Sequence, residues 1–168
     1  MSPALSQFRA LLGTAAAPGY TILNSVYGDG TSGYFSRTFG TPTTQSTYTF
    51  SMWVKRGVPG TLRNIFGVST NHSLGFPAAD TLVLTLAGVA QATSTALFRD
   101  VGAWLHVVYS QSGSTITLYV NNVSVATGSA TSAVFNTAVA HQLCAANAAN
   151  NFDGYVADTY FVDGQALT

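Results

Sequence analysis

Trp104-Leu105-His106-Val107-Val108-Tyr109-Ser110, then Gln111-Ser112-Gly113-Ser114, then Thr115-Ile116-Thr117-Leu118-Tyr119-Val120: this stretch decides how the chain reads. Two runs of β-branched and aromatic residues flank a short polar segment, the signature of a β-hairpin. Gly113 supplies the positive φ that the turn needs. Asn121-Asn122 makes a second tight turn, since Asn tolerates the left-handed region, and Val123 to Ala126 returns. The run from Trp104 to Ser110 is apolar enough to be buried on much of both faces.

Outward from the hairpin the same grammar repeats. Tyr48-Thr49-Phe50-Ser51-Met52-Trp53-Val54-Lys55 alternates, so Tyr48, Phe50, Met52 and Val54 share one face and Thr49, Ser51, Trp53 and Lys55 the other. Which of these faces meets the core is open at this stage. Gly57 to Gly60, with Pro59, turns the chain, and Asn64 to Val68 is the next strand. Leu82, Leu84 and Leu86 alternate against Thr81, Val83 and Thr85. Leu97 and Phe98 lead into a loop, Arg99 to Ala103. Tyr34 to Phe39 follows a Gly-Asp-Gly turn at Gly28 to Gly30, and Phe152 to Val162 is a long closing strand before the turn Asp163-Gly164. Many short strands with frequent turns predict an all-β fold, a two-sheet antiparallel sandwich.

Composition agrees. The 168 residues make one domain by size, and 47% of them are hydrophobic, so a core can form. Only 7% are charged, all six acids are Asp, and Lys55 is the sole lysine. Strong helix formers are therefore scarce. Zero net charge without a basic cluster argues against a nucleic-acid partner. It also gives little self-repulsion, which suits a surface that meets neighbours. No stretch is long and apolar enough for a membrane span, and the N-terminus lacks a signal-peptide pattern. The sequons at Asn71 and Asn122 therefore carry no weight. Cys144, the one cysteine, reads as a small buried residue.

Residues 1–19 read as a separate N-terminal arm or short helix ahead of a domain at 20–168. Leu5, Phe8, Leu11 and Leu12 fall near one helical face until Gly13 and Pro18-Gly19 stop the pattern. Two to three turns need a surface to lie on, either their own sandwich or a neighbouring subunit.

The motifs Tyr48 to Lys55, Trp104 to Tyr109 with Thr117 to Asn122, and Phe152 to Asp158 resemble those of laminin-G and concanavalin A-like jelly rolls. Tyr34-Phe-Ser-Arg-Thr38, Met52-Trp-Val-Lys-Arg-Gly57, Phe98-Arg-Asp100 and Phe161 to Thr168 are similar to a branch in virion proteins of tailed bacteriophages. The resemblance covers residues 20 to 168. It departs at Asn121-Asn122, where Asn-Gly is usual, and in the absence of stalk or coiled-coil segments. It implies a jelly roll in a virion assembled in the cytoplasm of a bacterial host. The expected role is a non-enzymatic capsid decoration or cement protein, with capsid or other virion proteins as partners. A homo-oligomer, a trimer by analogy with threefold capsid positions, is implied. The alternative is a carbohydrate- or receptor-binding module of a tail or fibre.

Glycanases need two facing carboxylates. Asp153/Asp158 and Asp158/Asp163 are each five apart, which puts them on opposite faces of a regular strand, so no enzyme is expected. His72, His106 and His141 lack zinc spacing, and His106 reads as a structural histidine. No cofactor is expected. The one metal that the resemblance allows is a structural calcium, for which Asp29, Asp80, Asp100 and Asp153 are the loop or turn carboxylates. Trp53, Tyr34 and Tyr155 are the candidate contacts for a sugar or partner, Trp53 with the rival reading of a core residue. Leu5, Phe8, Leu11 and Leu12 are the candidate interface of the arm.

Overall fold

The computed structural model describes residues 20–130 and 134–168. The arm residues Leu5, Phe8, Leu11 and Leu12 lie outside the described residues. Among the described residues every regular element is a strand. They are β1 (Val26–Asp29), β2 (Phe35–Thr38), β3 (Thr47–Arg56), β4 (Arg63–Ser69), β5 (His72–Phe76) and β6 (Val83–Leu86). The rest are β7 (Val89–Thr93), β8 (Leu105–Ser112), β9 (Thr115–Val120), β10 (Val123–Ser129), β11 (Ala140–Leu143) and β12 (Asp153–Asp163). They form two six-stranded antiparallel sheets, β1-β12-β3-β8-β9-β10 and β2-β11-β4-β5-β6-β7, packed as a jelly-roll sandwich.

The face of β3 left open by the sequence is settled here. Tyr48, Phe50, Met52 and Val54 point inward and are fully buried, and Trp53 stands on the outer face. The core continues through Val107, Tyr109, Ile116 and Leu118 of the first sheet onto Phe66, Leu74, Phe76, Leu82, Leu84 and Leu86 of the second. The expectation that residues 104–110 are buried on both faces is corrected. Leu105, Val107 and Tyr109 are buried, while His106 and Val108 are half-buried on the outer face. Gly113, Asn121 and Asn122 have φ of 60°, 51° and 66°, the geometry the two turns demand. The sequence reading missed β1, which runs through the expected Gly-Asp-Gly turn, and also β5, β7 and β11. These short strands are rich in Ala, Gly, Ser and His, and pairing rather than propensity makes them strands.

Two polar networks lock this architecture. In the core, the Tyr48 and Tyr109 hydroxyls lie 2.6 Å apart and each lies 2.6 Å from Gln111 Oε1. Two hydroxyl protons cannot serve three contacts, so one phenol donates to the other and that one to Gln111. Burial raises both phenols above their ordinary value and keeps them protonated. At one end, the Asp80 carboxylate accepts from the Gly60 N–H at 2.7 Å, Arg56 at 3.0 Å and Arg99 at 2.9 Å. Arg56 is only 1% exposed, donates also to the Phe98 carbonyl, and lies 4.5 Å over the Phe76 ring. The motif residues Arg56, Phe98 and Arg99 are therefore a structural clasp.

Candidate functional site

The outer face of the first sheet carries a groove of about 300 Å³. Its floor is set by register. Tyr160 of β12 pairs with Ser51 of β3, Ser51 with Val108 of β8, and Val108 with Tyr119 of β9. Two tyrosines thus flank a trough of small residues, three strand spacings or about 14 Å apart at the backbone. Tyr160 is 59% exposed.

A β-bulge creates this arrangement. Ala157 pairs with Trp53 but Tyr160 pairs with Ser51, so β12 spends one residue more than β3 between the two. Asp158 takes φ 44° at that point. The surplus residue reverses the alternation, so that Tyr160 and Val162 face the groove while Thr159 and Phe161 face inward.

The polar end of the groove is built around His106. Its Nε2 lies 2.8 Å from Ser51 Oγ, and its backbone N–H donates to Asn121 Oδ1 at 2.8 Å. Burial lowers the imidazole below its ordinary value, so it is neutral at pH 7. Its ring stacks on Trp53 at 4.9 Å, and Trp53 in turn stacks on Tyr20 at 5.2 Å. The far wall is the C-terminal segment. Thr49 Oγ1 donates to the Gln165 carbonyl at 2.8 Å and accepts from the Leu167 N–H at 2.7 Å, which seats Leu167 and Thr168 against the sheet. The arrangement offers two aromatic walls, an apolar floor and hydroxyl, imidazole and amide groups at one end.

The sequence candidates separate. Trp53 is outside the core, as a support for His106 rather than a groove wall. Tyr155 shares the outer face but belongs to a different aromatic station, 5.0 Å from Tyr27 and 6.5 Å from Trp104. Tyr34 lies exposed before β2, away from both. Sequence reasoning missed Tyr119, Tyr160, Ser51 and Asn122. The alternation of the quoted hairpin marks Tyr119, but Tyr160 is placed by the bulge, which the sequence does not announce.

The acids also differ from the sequence reading. Along β12, Asp153, Asp158 and Asp163 are about 16 Å apart in turn, too far for a catalytic pair. Asp29 and Asp153, which the sequence reading never paired, are directly opposite each other in the β1–β12 ladder. Asp29 Oδ1 accepts the N–H groups of Thr31, Ser32 and Gly33, which holds its carboxyl far below the ordinary range. An acid so held cannot serve as a proton donor near neutral pH. Neither Asp29 nor Asp153 lines the groove. The four aspartates considered for calcium do not converge. Asp80 is spent on two arginines and Asp100 caps Gly102. Among the described residues, no three His, Cys, Asp or Glu side chains gather as metal ligands. Cys144 is buried, and its thiol is pushed up to about 11 by desolvation.

Comparison with known proteins places the fold. The family described as "Concanavalin A-like lectin/glucanases superfamily" (Laminin_G_3) matches residues 29–168. No curated protein matches the sequence. Domain 4 of an extracellular arabinanase from Geobacillus stearothermophilus, solved with arabinotriose, is similar at 20% identity and TM-score 0.60, over 73% of this chain and 63% of that one. The sialidase CBM40 of Ruminococcus gnavus, bound to α2,3 sialyllactose, is similar at 13% identity and TM-score 0.61, over 88% and 95%. Mouse laminin α1 domains LG4-5 are similar at 17% identity and TM-score 0.60, over 83% and 41%. The chain thus spans less than two thirds of the arabinanase and laminin chains. At these identities the likeness shows the fold.

Proposed function

The chain belongs to the concanavalin A-like lectin/glucanases superfamily, and on that footing we propose that it is a non-catalytic carbohydrate-binding module whose binding face is the Tyr119–Tyr160 groove. The observation that carries this reading is the cross-strand row Tyr160, Ser51, Val108, Tyr119. Aromatic walls take the C–H faces of a sugar ring, and Ser51, His106 and Asn122 meet its hydroxyls. The sugar-bound state of two of the similar structures supports the same reading. The placement of the acids supports binding without hydrolysis.

A glycan array followed by calorimetry tests this. Tyr119→Ala and Tyr160→Ala should each weaken the best ligand by about tenfold or more. Tyr155→Ala, on the other aromatic station, should leave affinity unchanged. An array without hits, or tyrosine variants that bind as the parent does, overturns the proposal.

The motifs shared with tailed-phage proteins favour a virion setting, with the module on a tail or fibre where host glycans are met. Capsid decoration by a homo-oligomer, a trimer, is the second reading. One observation favours it: Leu23, Tyr27 and Tyr155 are exposed apolar residues along the β1 edge, with the Tyr27 and Tyr155 rings 5.0 Å apart. Copy number per purified particle separates the two, since decoration requires numbers on the scale of the shell subunits.

A further inference from the structure

The lateral side of the sandwich, where β2 ends the second sheet and β1-β12 the first, holds a cleft unrelated to the groove. Its apolar part, about 280 Å³, is lined by Phe35, Phe39, Phe50, Phe66, Leu143 and Phe161, with His141 at its base. This slot reaches the core, because Phe50, Phe66 and His141 are themselves buried. His141 braces it. Its ring stacks on Phe39 at 3.9 Å, with Nδ1 2.8 Å from the Val139 carbonyl and Nε2 2.9 Å from that of Phe135. The polar part, about 290 Å³, shares Arg37, Phe39 and Phe161 with the first and adds Asn136, Asp163 and Pro42. The two parts adjoin at the three shared residues.

Two of its charged side chains, Arg37 and Asp163, line the polar part without pairing with each other. Among the described residues the Arg37 side chain makes no hydrogen bond or ion pair, although it lines both parts. Asp163 lines the polar part and does not pair with it. Its Oδ2 accepts the Thr43 N–H at 2.6 Å and its Oδ1 the Asn136 amide at 2.6 Å. Each carboxylate oxygen keeps a second lone pair. A free guanidinium and a fixed carboxylate therefore look into one opening, beside an aromatic slot of side-chain size.

We propose that this cleft binds a free apolar α-amino acid, its carboxylate on Arg37, its ammonium on Asp163 and its side chain in the aromatic slot. Arg37 offers the forked donors that carboxylates take in pairs. An apolar acid without the ammonium, or an amine without the carboxylate, leaves one of the two charges unanswered. The competing account is that Arg37 only guards an edge strand, since an inward-pointing charge discourages edge-to-edge pairing. That account requires no ligand.

The experiment is an amide-resolved NMR titration of the full chain with L-phenylalanine, 3-phenylpropionate and phenethylamine. L-Phenylalanine should shift Arg37, Phe39, Gly40 and Phe161 saturably, and leave Val108 and Tyr119 in place. 3-Phenylpropionate and phenethylamine should each bind about tenfold more weakly or worse. Arg37→Gln, on an exposed strand, should remove saturable binding of L-phenylalanine while the spectrum stays that of the folded protein. No saturable shift with L-phenylalanine, equal binding of all three compounds, or undiminished binding by Arg37→Gln would each overturn the proposal. The groove's response to glycans is read at different amides, so the two sites succeed or fail separately.

Discussion

The two lateral sides of the sandwich are made from the same pair of sheets and end in opposite ways. On one side β10 lies against β7, so closely that a Cβ on Gly128 would stand 1.9 Å from the Gln91 carbonyl oxygen. On the other side β1 and β2 do not close over each other. Their inward-facing Val26 and Phe35 stay 48% and 53% exposed. The sealed side carries on into the clasp, since residues after β7 return through the Ser94–Leu82 and Phe98–Asp80 backbone bonds to Arg99 and Asp80. The difference is a division of labour: cohesion is concentrated on the sealed side, and the open side leaves apolar side chains exposed.

The strongest blow to that division is Asp80→Asn. It leaves the buried Arg56 guanidinium without a counter-charge, and should cost about 3–5 kcal/mol in urea unfolding. The pH dependence sharpens it. The Gly60 amide first, then Arg99 and Arg56, hold the Asp80 carboxyl at about 2, below the ordinary 3.8. A carboxyl lowered on folding contributes stability that is whole above the ordinary value and lost as pH falls towards about 2. The asparagine variant should lack this part of the acid limb. Gly128→Ala attacks the seal itself. β10 must lift from β7 to admit one methyl, at about 1–3 kcal/mol by the same measurement. The smallest effect belongs to the open side. Phe35→Ser should change stability by less than about 0.5 kcal/mol, although it removes a ring, because that ring is half in water already. A large loss at Phe35 and a small one at Gly128 would dissolve the contrast.

Much of the fold was legible in the sequence, and for identifiable reasons. The alternation at Tyr48 to Lys55 and Leu82 to Leu86, the positive-φ turn at Gly113 and the Asn121-Asn122 turn are local properties, and locality is what a sequence displays. The face question at Trp53 was not local, because it depends on which side the second sheet takes. The Asp29–Asp153 pairing and the Asp80 clasp join segments far apart in the chain, so no spacing rule finds them. The groove was hardest to see. Tyr119 sits in a plain hairpin, but Tyr160 reaches its wall only through the Asp158 bulge, and a regular strand would place it inside. The arm, read from Leu5, Phe8, Leu11 and Leu12, lies beyond the described residues.

That extra residue in β12 has a consequence for how such a surface can diversify. It acts as a gear between the two halves of the strand. Loss of one codon at Asp158 or Thr159 would leave a regular strand with Ala157 still opposite Trp53 and Tyr160 still opposite Ser51. The two halves of β12 can therefore keep their facing while the length of the strand between them changes by one residue.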